Sequence, residues 1–354
     1  EEGRIDNIRE CIGCNMCVSA DFTLVPMRCT QNPTAGEEWR KGWHPERIAP
    51  RRSDDNVLVV GAGPAGLECA RALGQRGYAV TLAEARAEVG GRVTLESRLP
   101  GLSAWARVRD YRLQQIHRMA NVQLYLDSRL DDTQIREFGF ARVVLATGAA
   151  WRRDGVGRSR QAPLKGLEQA HVLTPDDLMA GTEASGPVVL YDDDHYYMGG
   201  VLAEKLARAG HEVTLLTPAP EVSAWTRNTL EQPMIEQRLH ELGVTVIERH
   251  ALVSAGPGCA TIEHAVSGRR RNLPCETLVL VTMRLPHDGL FGDLMADSDA
   301  LADSGIKSVT RIGDCLAPST IAAAVYAGHR QGREMDEESS EAVPFRREMI
   351  ALET

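Results

Sequence analysis

Val57-Leu58-Val59-Val60-Gly61-Ala62-Gly63-Pro64-Ala65-Gly66 decides the fold of this 354-residue chain. Four apolar residues, three of them β-branched, form the run expected of a strand buried in a parallel sheet. The run enters a Gly-x-Gly-x-x-Gly turn, then an amphipathic stretch that reads as a helix from Leu67 to Arg76, followed by Gly77. A second strand follows over Ala79 to Ala83 and ends in Glu84. The glycine pattern alone is weak, but strand, turn, helix, strand and terminal acid together form the β-α-β fingerprint of a dinucleotide site. Gly61 permits the tight turn, Gly63 lets the backbone approach a pyrophosphate, and Gly66 allows close helix–strand packing. Pro64 and Ala65 lie at the helix N-terminus, whose free N–H groups favour phosphate. Glu84, eighteen residues after Gly66 and followed by Ala85, stands where an acid accepts hydrogen bonds from an adenosine ribose.

Downstream segments extend this site. Gly90-Gly91-Arg92 follows Glu84 closely, Val143 to Ala146 reads as a strand running into Thr147-Gly148, and Val309 to Ile312 as a strand running into Gly313-Asp314. In this order the elements resemble the flavoproteins with two dinucleotide domains, the glutathione-reductase-like fold. The resemblance implies that Asp314 faces a flavin ribityl-pyrophosphate and that a helix over roughly Ala322 to Met335 points its N-terminus at the same place.

A second β-α-β unit is expected from Pro187 to Leu216: strand Pro187 to Tyr191, helix Val201 to Ala209, strand His211 to Leu216. Its connecting loop should be rich in glycine but reads Asp192-Asp193-Asp194-His195-Tyr196-Tyr197-Met198-Gly199-Gly200. Three carboxylates repel a pyrophosphate and the tyrosines block backbone approach, so the expectation is a Rossmann-like domain without a working NAD(P) site. The rivals are that Gly199 and Gly200 still admit a cofactor, or that the loop is a plain solvated turn with His195 exposed. Gln232 to Ile247 reads as helix then strand, and Asn272 to Val281 as a return strand.

Upstream, Cys11-Ile-Gly13-Cys14-Asn-Met-Cys17 is followed after eleven residues by Cys29. Three thiols at three-residue spacing on a tight loop can hold three corners of a cubane, and a remote fourth closes the cage. Zinc sites instead use two separated Cys-x-x-Cys knuckles, which fits less well, so the spacing favours [4Fe–4S] on Cys11, Cys14, Cys17 and Cys29. Pro26 is placed to set the turn back to Cys29. Thr30 to Pro45 reads as an ordered loop over the cluster, with Trp39 and Trp43 as core anchors and His44 structural. Ala49 to Asn56 reads as a charged linker.

The chain is 43% hydrophobic and 25% charged, ordinary for a globular protein, and its net charge of −9 argues against general nucleic-acid binding. No apolar run reaches the roughly 20 residues of a membrane span. The first ten residues are charged and polar, unlike a signal peptide, and four of the eight cysteines cluster as metal ligands rather than disulfides. A cytoplasmic setting is therefore expected. Cys69, Cys259, Cys275 and Cys315 read as structural thiols. The chain opens Glu1-Glu2-Gly3 without Met, which reads as an internal boundary.

Cys-Ile-Gly-Cys-Asn-x-Cys…Cys-Thr-Gln-Asn-x-Thr-Ala-Gly-Glu-Glu…Gly-Trp-His-Pro-Glu ahead of a dinucleotide domain closely resembles the trimethylamine dehydrogenase family, which includes dimethylamine and histamine dehydrogenases and N-methyl amino-acid demethylases. Dienoyl-CoA reductases share the architecture. The resemblance implies an α/β fold with two Rossmann-like domains preceded by an iron–sulfur loop. Residues 1–50 would be the cluster segment, 51–165 the first part of an FAD/ADP domain, 166–290 an NAD(P)-like domain with a degenerate loop, and 291–354 the return to the first. It also implies an N-terminal FMN-binding TIM barrel, absent here except for a last helix in Glu1 to Glu10, so that the chain is a fragment or a separate subunit. The nucleotide is ADP in the amine dehydrogenases and FAD in the reductases. The implied activity is the electron-transfer half of an amine dehydrogenase, homo-oligomeric, that oxidises a secondary or tertiary amine at FMN and passes electrons through the cluster to an electron-transferring flavoprotein. Catalytic residues are expected outside this chain, and neither nucleic acid nor membrane is an expected partner. The alternatives are an NAD(P)H-dependent reductase with FAD, FMN and cluster, and a non-catalytic docking module stabilised by nucleotide.

Overall fold

The computed structural model describes residues 3, 5–40, 43 and 47–337, which leaves His44 outside the described residues. A cluster segment with one helix, α1 (Met16–Thr23), comes first. The first lobe runs β1 (Val57–Val60), α2 (Pro64–Arg76), β2 (Val80–Ala83), α3 (Arg92–Glu96), α4 (Arg107–His117), β3 (Val122–Tyr125), α5 (Asp132–Glu137) and β4 (Arg142–Leu145). β5 (Ala149–Trp151) crosses to the second lobe, which runs β6 (His171–Leu173), α6 (Pro175–Met179), β7 (Val188–Asp192), α7 (Tyr197–Arg208), β8 (Val213–Leu216), α8 (Gln232–Glu241) and β9 (Thr245–Ile247). It continues through β10 (His250–Gly256), β11 (Cys259–His264), β12 (Arg270–Pro274) and β13 (Thr277–Val281). β14 (Arg284–Pro286) crosses back to α9 (Gly289–Ala296), α10 (Ser298–Asp303), β15 (Ser308–Arg311) and α11 (Ile321–Glu334).

Each lobe is built on a five-stranded parallel sheet, ordered β15-β4-β1-β2-β3 and β6-β13-β7-β8-β9. β1 is central and buried on both faces, as its unbroken apolar run requires. Val57 and Val59 pack toward α2 and α11, while Leu58 and Val60 pack with Ile135 of α5 and Leu294 of α9. In the second lobe Val188 and Leu190 of β7 pack with α7, while Val189 and Tyr191 pack with Leu252 and Ile262 of the antiparallel β10-β11-β12 sheet. β5 and β14 pair antiparallel, Trp151 opposite Arg284, in a ribbon between the lobes.

Several boundaries differ from the sequence reading. α2 begins at Pro64 rather than Leu67, because proline suits the first helical turn, where no N–H is needed. α7 begins at Tyr197 rather than Val201. The single return strand expected over Asn272 to Val281 is two strands: β12 ends at Pro274 on the edge of the antiparallel sheet, and β13 begins at Thr277 in the parallel one. Proline at the end of an edge strand removes a ladder donor only where none is needed. Trp43 is buried, with its ring 5.5 Å from that of His329, but Trp39 is 41% exposed and is no core anchor. Near Glu1 to Glu10 the described residues form only a short 3-10 turn, Ile5–Asn7. Cys69, Cys275 and Cys315 are buried, Cys259 is half-buried, and all are free.

Three helices meet on one buried carboxylate. Glu68 of α2 has no exposed surface and pairs with Arg71 at 2.6 Å, Arg112 of α4 at 2.8 Å and Nδ1 of His329 of α11 at 2.8 Å. Arg112 then donates to the side chain of Gln31 at 3.0 Å and to its carbonyl at 3.1 Å, which fixes the cluster segment to the first lobe. No helix among the described residues is long and apolar enough to cross a membrane.

α11 crosses α2 almost backbone to backbone. A Cβ on Gly328 would lie 2.1 Å from the carbonyl oxygen of Ala65, which cannot yield without moving the helix that carries the glycine turn. Gly328→Val should therefore cost about 1–3 kcal/mol of overpacking, read as a drop of several degrees in thermal unfolding. An unchanged melting temperature would refute this account of the crossing.

Candidate functional site

The cluster segment orders donors around sulfur. Gly13, at φ +69°, turns its N–H onto Cys11 Sγ at 3.3 Å. The N–H of Asn32 donates to Cys29 Sγ at 3.3 Å, and the Thr30 hydroxyl lies 3.1 Å from Cys14 Sγ. Burial pushes the Cys14 thiol up, as do its neighbours Cys29 and Cys17, while Thr30 and the Met16 backbone pull it down. Among the described residues no group of three or more His, Cys, Asp or Glu side chains is placed to hold a metal ion. A tetrahedral zinc would need four sulfurs converging at about 2.3 Å on one point. A cubane asks each thiol only to reach its own corner, and N–H···S hydrogen bonds are among the features that tune it. Backbone and hydroxyl donors on three of the four sulfurs are the surroundings that any group held by these thiols would meet. Asn15, in left-handed geometry at φ +49°, donates to the carbonyl of Thr229 at 2.8 Å and so also ties this loop to the second lobe.

Beyond the C-terminal ends of β1, β2 and β4 lies a cavity of about 780 Å³. Gly61, Gly63, Pro64, Ala65, Glu84, Ala85, Gly91, Arg92, Thr147, Gly148 and Asp314 all line it. Gly66 and Gly313 stand behind it. A Cβ on Gly66 would lie 1.8 Å from the Gly61 carbonyl oxygen, the close helix–strand contact the sequence predicts. The Glu84 carboxylate accepts from the Ala62 N–H at 2.8 Å and the Arg86 N–H at 3.0 Å, bracing the glycine turn from the strand end. Ser128, Arg129 and His287 also line the cavity and were missed by sequence reading, because they come from loops without a motif.

Two of the lining side chains, Arg92 and Asp314, belong to an ion network. Asp314 Oδ2 accepts from Arg92 at 2.9 Å and Arg284 at 2.5 Å, and Oδ1 from the Ser319 N–H at 2.9 Å. Arg92 also donates to Glu96 at 2.9 Å and to the Tyr197 hydroxyl at 3.2 Å, and that hydroxyl donates to Glu96 at 2.8 Å. Asp314 is thus engaged by two guanidinium groups while it also lines the cavity. Arg284, on the strand that returns from the second lobe, carries no sequence signal for this role.

The acidic loop is not a solvated turn. Asp192 and Asp193 are fully buried. Asp192 Oδ1 accepts from the N–H groups of Asp194 at 3.2 Å and His195 at 3.0 Å, and Asp193 Oδ2 accepts from the Ser159 N–H at 2.9 Å. His195 is not exposed either: its side chain is 23% accessible, and its Nε2 lies 3.5 Å from Asp193 Oδ1. A Cβ on Gly199 would lie 2.5 Å from the Asp192 carboxyl carbon, and one on Gly200 would lie 2.8 Å from Ile235. These two glycines are therefore packed against the Asp192 carboxyl and Ile235 inside the second lobe. Burial, and next the charge of Asp194, push the Asp192 carboxyl up to about 8.

A family model described as an OYE-like second alpha/beta domain matches residues 173–261, and one described as an NAD(P)-binding Rossmann-like domain matches residues 59–128. Dimethylamine dehydrogenase of Hyphomicrobium sp. (strain x) is 39% identical across 100% of this chain and 52% of its own length. The solved structure of histamine dehydrogenase from Rhizobium sp. 4-9 is 51% identical, with TM-score 0.97, over 100% of this chain and 55% of that one. 6-Hydroxypseudooxynicotine amine oxidase from Pseudomonas geniculata N1 is 45% identical, with TM-score 0.90, over 94% of this chain and 49% of that one. The chain thus spans about half the length of the relatives it matches.

The Asp192 shift has a definite sign. A carboxyl whose folded pKa is raised from 3.8 to about 8 binds its proton more tightly when folded, so its ionisation withdraws stability as pH climbs through that window. Asp192→Asn keeps the Oδ1 acceptor and removes the titration. It should leave the melting temperature almost unchanged at pH 3.5, below the unfolded value, and raise it progressively above that, by several degrees at pH 8. Equal effects at both pH values would contradict this.

Proposed function

The chain belongs to the trimethylamine dehydrogenase family, and from that premise we propose that it is the electron-transfer half of an iron–sulfur flavoprotein amine dehydrogenase. The observation that carries the reading is the set of donors on the sulfurs of Cys11, Cys14 and Cys29, in a chain that also has a cavity over the Gly61–Gly66 turn and a buried acidic loop in its second lobe. In this reading Cys11, Cys14, Cys17 and Cys29 hold a [4Fe–4S] cluster, which supplies a one-electron relay. The chain's residues hold the cluster and set the hydrogen bonds to its sulfurs. Amine oxidation takes place at FMN in an N-terminal barrel. Ile5, Ile8, Phe22 and Leu24, exposed apolar side chains of the segment that also carries the exposed Cys11 and Cys17, are surface for that barrel to cover. An electron-transferring flavoprotein is the acceptor.

The nucleotide is ADP in this reading. Its pyrophosphate lies at the N-terminus of α2, its ribose faces Glu84, and the Arg92–Asp314–Arg284 knot stops the cavity before a flavin ring. The reductase alternative needs NAD(P)H at the second lobe, where Asp192 stands against Gly199.

The test is anaerobic purification, low-temperature EPR after dithionite, iron and sulfide analysis, and mass spectrometry of the nucleotide released on denaturation. Expected are a reduced-cluster signal, about four irons and four sulfides per chain, and ADP. Bound zinc without an EPR signal would overturn the cluster. FAD reducible by NADPH would restore the reductase reading.

A further inference from the structure

A second cavity, of about 230 Å³, lies where the cluster segment, the acidic loop and the start of α11 meet, on the far side of the Arg92–Asp314–Arg284 knot from the nucleotide. At about 30 Å³ per water it has room for a single small ring compound. Its walls are aromatic: Trp105, Trp151, Tyr196, Tyr197 and Trp225. The rings pack edge to face, Tyr196 on Trp225 and Tyr196 on Tyr197 at 4.6 Å each and Trp105 on Tyr197 at 4.7 Å, so the walls are rigid. Cys14 forms part of the wall.

The charges in this lining are unequal. Arg92, Arg158 and Arg284 face one carboxylate, Asp194. Glu96 and Asp314 lie behind the lining. Arg92 pairs with both of them, whereas Arg284 shares one Asp314 oxygen with Arg92 and gives one further N–H to the Ser319 carbonyl at 2.7 Å, which leaves three of its five N–H groups without a protein acceptor. Two guanidinium groups on one oxygen repel each other, and burial and Arg92 together push the Arg284 pKa down. Arg158 reaches Asp194 only at 3.9 Å and is otherwise open to solvent. The guanidinium groups of Arg284 and Arg158 therefore keep donors for a further acceptor, beside flat apolar walls.

We propose that this cavity is a binding site for a small planar organic anion, an aromatic or conjugated carboxylate, held by Arg158 and Arg284 with its flat face against the tryptophans and its edge near Cys14. The site rests on the side chains alone. Its coupling to the cluster rests additionally on Cys14 being a cluster ligand. An anion seated there disfavours adding an electron nearby, so occupancy lowers the cluster's midpoint potential. Because three of the chain's five tryptophans line the cavity, binding reports on itself through their fluorescence.

The experiment uses the anaerobic, cluster-loaded chain. Benzoate is titrated by calorimetry and tryptophan fluorescence against benzamide, which keeps the ring but not the charge, and acetate, which keeps the charge but not the ring. Benzoate should bind about tenfold tighter than either, the worth of one charge-assisted contact or of one stacked ring. Arg158→Ala, at a solvent-facing guanidinium, should weaken benzoate and leave benzamide alone. Trp225→Leu should weaken benzoate and benzamide alike. Benzoate should also move the EPR spectrum of the dithionite-reduced cluster and make its potential more negative. Benzoate no tighter than both controls, or indifferent to both substitutions, overturns the site. Benzoate binding intact in a chain with no cluster signal overturns the cluster reading instead. Binding with an unmoved EPR spectrum and potential overturns the coupling.

Discussion

Glu68 has no contact with water, and the arrangement of the first lobe follows from where its charge is met. Burial alone would push its carboxyl up, but Arg71 and Arg112, with the hydrogen bond from His329, outweigh it and hold Glu68 well below the usual carboxylate range. A buried charge of this kind is costly to leave unpaired, on the order of 3–5 kcal/mol, so α2, α4 and α11 are held in one register. The same Arg112 grips Gln31, whose neighbours Thr30 and Asn32 supply the contacts to Cys14 and Cys29. One carboxylate thus links the helix that begins at the nucleotide turn to the loop that holds the thiols. The connection runs through the Glu68–Arg112 ion pair and the two hydrogen bonds from Arg112 to Gln31.

The second lobe shows the opposite use of buried acid. Asp192 ends β7 where a dinucleotide fold would leave room for a pyrophosphate, and its carboxyl instead caps its own loop and fills the space over Gly199. The lobe keeps its Rossmann-like sheet and supplies Tyr196, Tyr197 and Asn15's acceptor to the neighbourhood of the thiols.

Much of this was legible in the residues. The apolar run before Gly61 and the Gly-x-Gly-x-x-Gly turn specify local backbone geometry, and eleven of the thirteen residues read as nucleotide contacts line the cavity, with Gly66 and Gly313 packed directly behind. What the chain hid depends on long-range partners. Arg284 meets Asp314 only because β14 crosses back between lobes. Glu68 looks like an ordinary helix-surface acid until α4 and α11 close over it. The burial of the Asp192 loop also went unread, since three adjacent acids look solvent-exposed until their N–H partners are seen. Trp39 and Trp43 show the limit most simply: four residues apart and identical in type, one is buried on His329 and the other is exposed.

The central claim is that electrons enter this chain at the thiol loop and not through a nicotinamide at the second lobe. Anaerobic titration of the cluster-loaded chain, first with NADPH or NADH and then with dithionite, tests it by the visible iron–sulfur absorbance. The account predicts no bleaching by either nicotinamide and full bleaching by dithionite. Bleaching by stoichiometric NADPH or NADH would contradict it.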